Sequence, residues 1–320
     1  MAYKVLFTDH VFPNLDLEKK SYADAGLELV YLDSRDEDTI AAAAVDADSI
    51  ITGYAEITAK VIAATTKCKS ISKTGIGVNN IDVQAATAKG IRVLNCSDYC
   101  VEEVSDQTVA LALAVARRIV VLNRAITNGS WSLAGNFDMP RLRDKTLGLL
   151  GFGRIARLTA QKMQGFGMKV MAYDPYVDAA QMAAVGVQKA ELNEVIEQAL
   201  VVALNLPLTA ETEGMVDETF LGKMRKDAIL VNTSRGGLIN EAALVKALQE
   251  KQISGAGLDV LIDETPANAV NNPLCKLDNC IVTPHAAFVS IEAVQELREK
   301  IIADVITVSQ GKEPKYQVNR

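Results

Sequence analysis

Residues 146–156 read Thr-Leu-Gly-Leu-Leu-Gly-Phe-Gly-Arg-Ile-Ala. The first five are an apolar run of strand length, Gly151 and Gly153 make a turn, and Arg154, Ile155 and Ala156 open a helix whose apolar side continues at Leu158, Met163 and Phe166. Gly151, Gly153 and Ala156 match the spacing G-x-G-x-x-G/A. Gly151 permits the tight turn, Gly153 lets backbone approach a pyrophosphate, and the helix start offers N–H donors and a positive dipole end. Met168–Tyr173 reads as the next strand, and Asp174 closes it 21 positions after Gly153. A carboxylate there would accept hydrogen bonds from the adenosine ribose hydroxyls and repel a 2′-phosphate, so the stretch implies NAD rather than NADP.

Working outward, short β-rich runs alternate with helical patterns on both sides, the signature of parallel sheets in an α/β fold. Before the glycine turn the expected strands are Tyr3–Asp9, Leu27–Leu32, Ser49–Gly53, Ser70–Thr74 and Arg92–Asn95. A helix is expected from about Val101 to Asn123, with Val104, Thr108, Leu111, Val115 and Ile119 on its apolar side. After it come strands at Thr146–Leu150, Lys169–Tyr173, Leu200–Leu204, Ala228–Asn232, Gly255–Val260 and Cys280–Thr283, then an amphipathic helix from about Ile291 to Ser309 that could return to the first block. Hinges near Cys96–Val101 and just after His285 separate the blocks.

Composition narrows the function. The 320 residues are 49% hydrophobic and 23% charged, enough for about two packed domains. A net charge of −7 argues against nucleic-acid binding, and no apolar run reaches the ~18 residues of a membrane span. The first residues, MAYKVLFTDH, lack the pattern of a secretory signal. Five cysteines without a C-x-x-C pair, and only two histidines, point to a reducing cytoplasm and no metal site.

Three later strands run into ionisable groups. Ala228–Asn232 leads to Thr233-Ser-Arg235, Gly255–Val260 carries Asp259 and leads to Glu264, and Cys280–Thr283 leads to His285. Ligands of open parallel sheets sit outside the carboxyl ends of the strands, so these groups should converge. Arg235 could hold a carboxylate or carbonyl oxygen through its fork, His285 could give a proton to a carbonyl oxygen as hydride reaches the carbon, and Glu264 could hold the ring. Asp259 could bond a nicotinamide amide. In the first block, Lys73 and the backbone of Gly75, Ile76 and Gly77 could receive a substrate carboxylate, as a nest does. His10, with nothing nearby to orient it, reads as structural or as part of a rim.

Together the segments KTGIGVNNID, TLGLLGFGRIA with YDP, NLPLTAET, LVNTSRGGLINEAAL, GAGLDV and VTPHAA resemble the NAD-dependent, D-isomer-specific 2-hydroxyacid dehydrogenases, over about Lys73 to Arg298. DYCVEEVSDQTVALAL is similar to the branch that includes C-terminal-binding proteins. The resemblance implies two Rossmann-like domains, a cofactor domain (99–286) inserted in a substrate domain (1–98 plus 287–320), and homodimers through the cofactor domains. It implies Arg235, Glu264 and His285 as the catalytic set, and cofactor contacts at the glycine loop with Arg154 and Ile155, Asp174, Pro207, Thr209, Thr233 and Asp259. The expected substrate is a small 2-oxo or D-2-hydroxy acid. An NAD(H)-sensing dimeric scaffold is the alternative. The chain departs from the branch at Gln107, where His is frequent, at Val289, where an aromatic residue is frequent, and at Pro266, one place later than usual.

Overall fold

Strands covered on both faces lose the apolar–polar alternation, and β1 (Tyr3–Phe7) ends in Val5, Leu6 and Phe7, all buried. The computed structural model describes residues 2–136 and 138–319. The chain divides into two units, Met1–Tyr99 with Ser290–Arg320, and Cys100–Val289. Both are α/β, with parallel sheets between helices.

The first unit holds β1, β2 (Leu27–Tyr31), β3 (Ser49–Thr52), β4 (Ser70–Lys73) and β5 (Arg92–Leu94), in the order β2-β1-β3-β4-β5. Leu6, Ile50, Ile71 and Val93 line its core with Ile40, Val61 and Ile91. Helix Ile291–Ser309 belongs to this unit. Its Arg298 donates to both carboxylate oxygens of Glu18, on helix Asp16–Asp24, at 2.8 and 2.6 Å. A bidentate pair this well buried keeps its geometry, because either charge alone would be stranded away from water.

The second unit holds seven parallel strands: β6 (Thr146–Leu150), β7 (Lys169–Tyr173), β8 (Gln188–Lys189), β9 (Val201–Leu204), β10 (Ile229–Asn232), β11 (Gly255–Leu258) and β12 (Cys280–Val282). Their order is β12-β11-β10-β9-β6-β7-β8. The chain moves outward one way from β6 and the other way from β9, so the topological switch lies between those two strands.

Two expectations are corrected and one strand is added. The stretch Val101–Asn123 is two helices, Val101–Ala116 and Ile119–Thr127. They break at Arg118, whose φ of 51° is left-handed and whose guanidinium donates to Gly135 O, Asn136 Oδ1 and Asp138 Oδ2. Ile119 therefore leaves the apolar side and is 55% exposed. The two-residue β8 carries too short a pattern to read in advance. Finally, the strands expected to reach Asp9 and Val260 stop at Phe7 and Leu258, so Asp9 stands two residues past its ladder and Asp259 one. Among the described residues no helix is long and apolar enough to cross a membrane.

Candidate active site

The glycine turn lies at the switch point of the second unit. Gly151 has φ +89°, and a Cβ there would lie 2.3 Å from Asn205 O, just past β9, so only glycine fits. Gly153 caps helix Arg154–Gly165 without a side-chain bond, and a Cβ built on it meets nothing within 4 Å. The helix N-terminus therefore opens onto space, with its N–H dipoles directed at it. Asp174, after β7, accepts the N–H of Phe152 at 2.8 Å and of Tyr176 at 2.9 Å, one on each carboxylate oxygen. Each oxygen keeps a lone pair for a further donor. A glycine cradle with a carboxylate at its side fits a dinucleotide. Pro207 and Thr209 follow β9, where Thr212 Oγ1 donates to Pro207 O at 2.7 Å and accepts Thr209 N–H at 2.9 Å.

The strands β10, β11 and β12 end in register, with Asn232 beside Leu258 and Leu258 beside Val282. At the usual strand spacing their ends span about 10 Å. Arg235 leaves β10 on a loop pinned by Asn232, whose amide donates to Arg235 O and whose Oδ1 accepts Ser234 N–H. The guanidinium donates to Ser234 O at 2.6 Å. Thr233, 8% exposed, shares a 2.8 Å hydroxyl contact with Thr108 of helix Val101–Ala116. That partner, like Gln107 Nε2 donating to Thr283 Oγ1 at 3.1 Å, makes this helix the support for two of the three loops. Sequence reading gave neither residue this part, since hydroxyl and amide partners 125 and 176 positions away leave no local signal.

His285 follows β12 in a left-handed conformation, φ +51°, and its N–H donates to Asp259 O at 2.8 Å. Its Nδ1 lies 2.8 Å from Glu264 Oε2. Asp259 is 1% exposed, and burial raises its carboxyl above the usual range. Its carboxylate accepts the Thr283 hydroxyl and the N–H groups of Ala286 (3.0 Å) and Ala287 (2.8 Å), which wraps the His285 turn around it.

Lys73, Gly75, Ile76 and Gly77 belong to the first unit. Lys73 Nζ donates to Gly53 O and lies 5.1 Å over the Tyr54 ring. Gly75 O accepts Cys96 N–H at 2.9 Å and Ile76 O accepts the Asn95 amide at 2.7 Å. Among the described residues, no acceptor takes the N–H groups of Gly75, Ile76 or Gly77. His10 packs against Phe7, Phe12 and Tyr31.

Residues 109–287 match the family model of the D-isomer specific 2-hydroxyacid dehydrogenase NAD-binding domain. A glyoxylate reductase of Korarchaeum cryptofilum is 37% identical over 279 residues, covering 86% of this chain and 83% of that one. A D-3-phosphoglycerate dehydrogenase of Mycobacterium tuberculosis is 35% identical over 268 residues, 83% of this chain. The chain spans about half the length of the phosphoglycerate dehydrogenases it matches. Among solved structures, a D-lactate dehydrogenase of Aquifex aeolicus complexed with NAD and lactic acid superposes with a TM-score of 0.91 at 26% identity, over 99% of both chains. With one family model across more than half of its length and such identities across more than four fifths, the chain belongs to the D-isomer specific 2-hydroxyacid dehydrogenase family.

Proposed function

We propose that the protein is an NAD-dependent oxidoreductase that interconverts a small 2-oxo acid and its D-2-hydroxy acid. The observation that carries this reading is the bond between His285 Nδ1 and Glu264, at the end of the sheet that bears the glycine turn. A bound NADH supplies the hydride. Gly151, Gly153, Arg154 and Ile155 would receive the pyrophosphate, Asp174 the ribose, and Pro207, Thr209, Thr233 and Asp259 the rest of the cofactor. With Nδ1 given to Glu264, Nε2 is the nitrogen left to pass a proton to the carbonyl oxygen of the substrate. Arg235 carries five N–H donors in a fork, and it would hold the 2-oxo acid by its oxygens. Lys73 and the N–H groups of Gly75, Ile76 and Gly77 would take the carboxylate.

Steady-state oxidation of NADH with a panel of 2-oxo acids tests the activity. His285→Gln should lower kcat by about 10²–10⁴-fold, the usual worth of a positioned acid, and leave NADH binding intact. Retention of more than about a third of wild-type kcat would remove His285 from the role.

The enzyme is further proposed to be a homodimer through the second unit. Helix Ile119–Thr127 buries none of its residues, and it exposes Ile119, Val120 and Ile126 beside a loop that exposes Trp131 and Leu133. An apolar face of that kind is the usual mark of an interface. Light scattering should give twice the mass of one chain, and Ile119→Glu with Trp131→Ser should halve it.

A further inference from the structure

Glu241 opens the helix Glu241–Gln249, six residues after Arg235, and has no part in the chemistry above. Its two carboxylate oxygens are both engaged. One accepts the N–H of Ile262 at 2.7 Å, and the other accepts the side-chain amide of Asn272 at 2.9 Å. These partners bracket the segment that carries Glu264. Asn272 is a fixed post: it is 4% exposed, and its Oδ1 accepts Leu274 N–H at 2.9 Å. Between the posts, residues 263–267 are exposed, and their ties are local apart from the Glu264–His285 bond. Asp263 accepts from Thr265 N–H and from the Asn268 amide.

The same stretch of chain touches the segment a second time. A Cβ on Gly236 would lie 2.0 Å from the carbonyl carbon of Leu261 and 2.5 Å from Ile262 N. Only glycine allows two backbones to pass so closely. Residues 236 and 241 therefore grip the entry of the Glu264 loop, and Glu241 grips its exit as well. The loop aimed at the His285 ring is held from the stretch of chain that follows Arg235.

We propose that Glu241 is a positioning residue for the Glu264–His285 pair, acting through Ile262 and Asn272. This rests on the reading of that pair as catalytic. Losing a half-buried carboxylate that serves two donors would let the Glu264 carboxylate drift from Nδ1, and small misplacements are costly in catalysis.

The test is a double-mutant cycle on the 2-oxo acid that the wild type reduces fastest. Glu241→Ala should lower kcat about tenfold with the Kd for NADH, read by fluorescence, unchanged. In a Glu264→Gln background the same substitution should cost less than about twofold, because the carboxylate it positions is gone. Glu241→Gln keeps an oxygen for Ile262 N–H but sets an amide against the Asn272 amide, so it should restore most of the loss. If the alanine variant does not fold, Glu241→Gln runs the cycle alone, with about a threefold loss that disappears in the Glu264→Gln background. A loss that multiplies in full in that background, or that falls equally on NADH affinity, overturns the proposal. A fully active Glu264→Gln would instead overturn the assignment of Glu264, whereas a defective Glu264→Gln beside an unaffected Glu241→Ala overturns the positioning role alone.

Discussion

Each sheet ends an inner strand on a buried aspartate just past the ladder, Asp9 two residues after β1 and Asp259 one residue after β11. Each carboxylate fastens the loop after a neighbouring strand. Asp9 accepts the N–H groups of Gly53, Tyr54 and Ala55, the Thr8 hydroxyl and Arg35 Nε. Asp259 accepts one hydroxyl and two N–H groups. The two titrate in opposite directions. Burial alone would raise Asp9, but the N–H groups of Tyr54 and Ala55, the Thr8 hydroxyl and the Gly53 N–H hold it below the usual range. Burial wins at Asp259, against Thr283, Ala287, Ala286 and the charge of His285, and its carboxyl is raised. The number of donors around a buried carboxylate decides whether the fold stabilises its charge or merely tolerates it. In the first unit the charge is a fastener with donors to spare. In the second it is held at a cost, under a residue proposed for catalysis.

The largest effect should come from Asp259→Ala. It orphans two N–H groups and a hydroxyl, each worth ~1–3 kcal/mol when left unmet, and releases the left-handed turn at His285, a conformation that itself costs ~1–2 kcal/mol. We expect kcat to fall by about 10²-fold or more, with a lower Tm. Asp9→Ala should lower Tm comparably, yet keep kcat within about tenfold and raise KM for the 2-oxo acid instead, since Asp9 fixes the loop whose Gly53 carbonyl and Tyr54 ring hold Lys73. Equal losses of kcat in the two variants would erase the distinction between fastener and site.

The opposite titrations give a second test. Asp9, lowered in the fold, adds stability that is full above the unfolded carboxyl value of about 4 and is lost as pH falls through its folded value. Asp259, raised in the fold, contributes in the other sense: its share is full below about pH 4 and is lost as pH rises through its folded value. The Tm deficit of Asp9→Asn should therefore shrink on acidification, and that of Asp259→Asn should grow. Thermal scans of both variants from about pH 3 to pH 7 check this, and deficits that move in the same direction would break the comparison.

Only one of the two aspartates is legible in the sequence. Asp259 closes a β-run just ahead of Glu264, so it stands out as a strand-end acid. Asp9 also closes a run, but what gives it meaning is three backbone N–H groups 44 to 46 positions away, and backbone donors leave no trace in side-chain identity. The α/β class and the glycine turn are legible because their periods and spacings are local. The break at Arg118 is not, because helical periodicity runs through it while the partners that hold the turn, Gly135 to Asp138, are tertiary. Glu241 reads as an ordinary first-turn acid, and only the fold brings Ile262 and Asn272 to it.

The smallest effect sharpens what sets Asp259 apart. Asp9 is met by its donors directly, whereas Asp259 is also reached by a relay: Gln107 Nε2 donates to Thr283 Oγ1, whose hydroxyl proton then points at Asp259. An amide donor on one side of a hydroxyl leaves that hydroxyl a single orientation, so Gln107 fixes the direction of the bond that Thr283 makes. Gln107→Leu keeps the volume roughly constant and removes the donor. Thr283 can still donate to Asp259, so the loss should be that of one neutral hydrogen bond, ~0.5–1.5 kcal/mol, or roughly two- to tenfold in kcat if it is spent at the His285 turn. NADH affinity should hold. Thr283→Val, which removes the hydroxyl itself, should cost more, and adding Gln107→Leu to it should cost nothing further. If the two losses instead multiply, Gln107 acts on the site by a route other than Thr283, and the relay is not what distinguishes the second aspartate from the first.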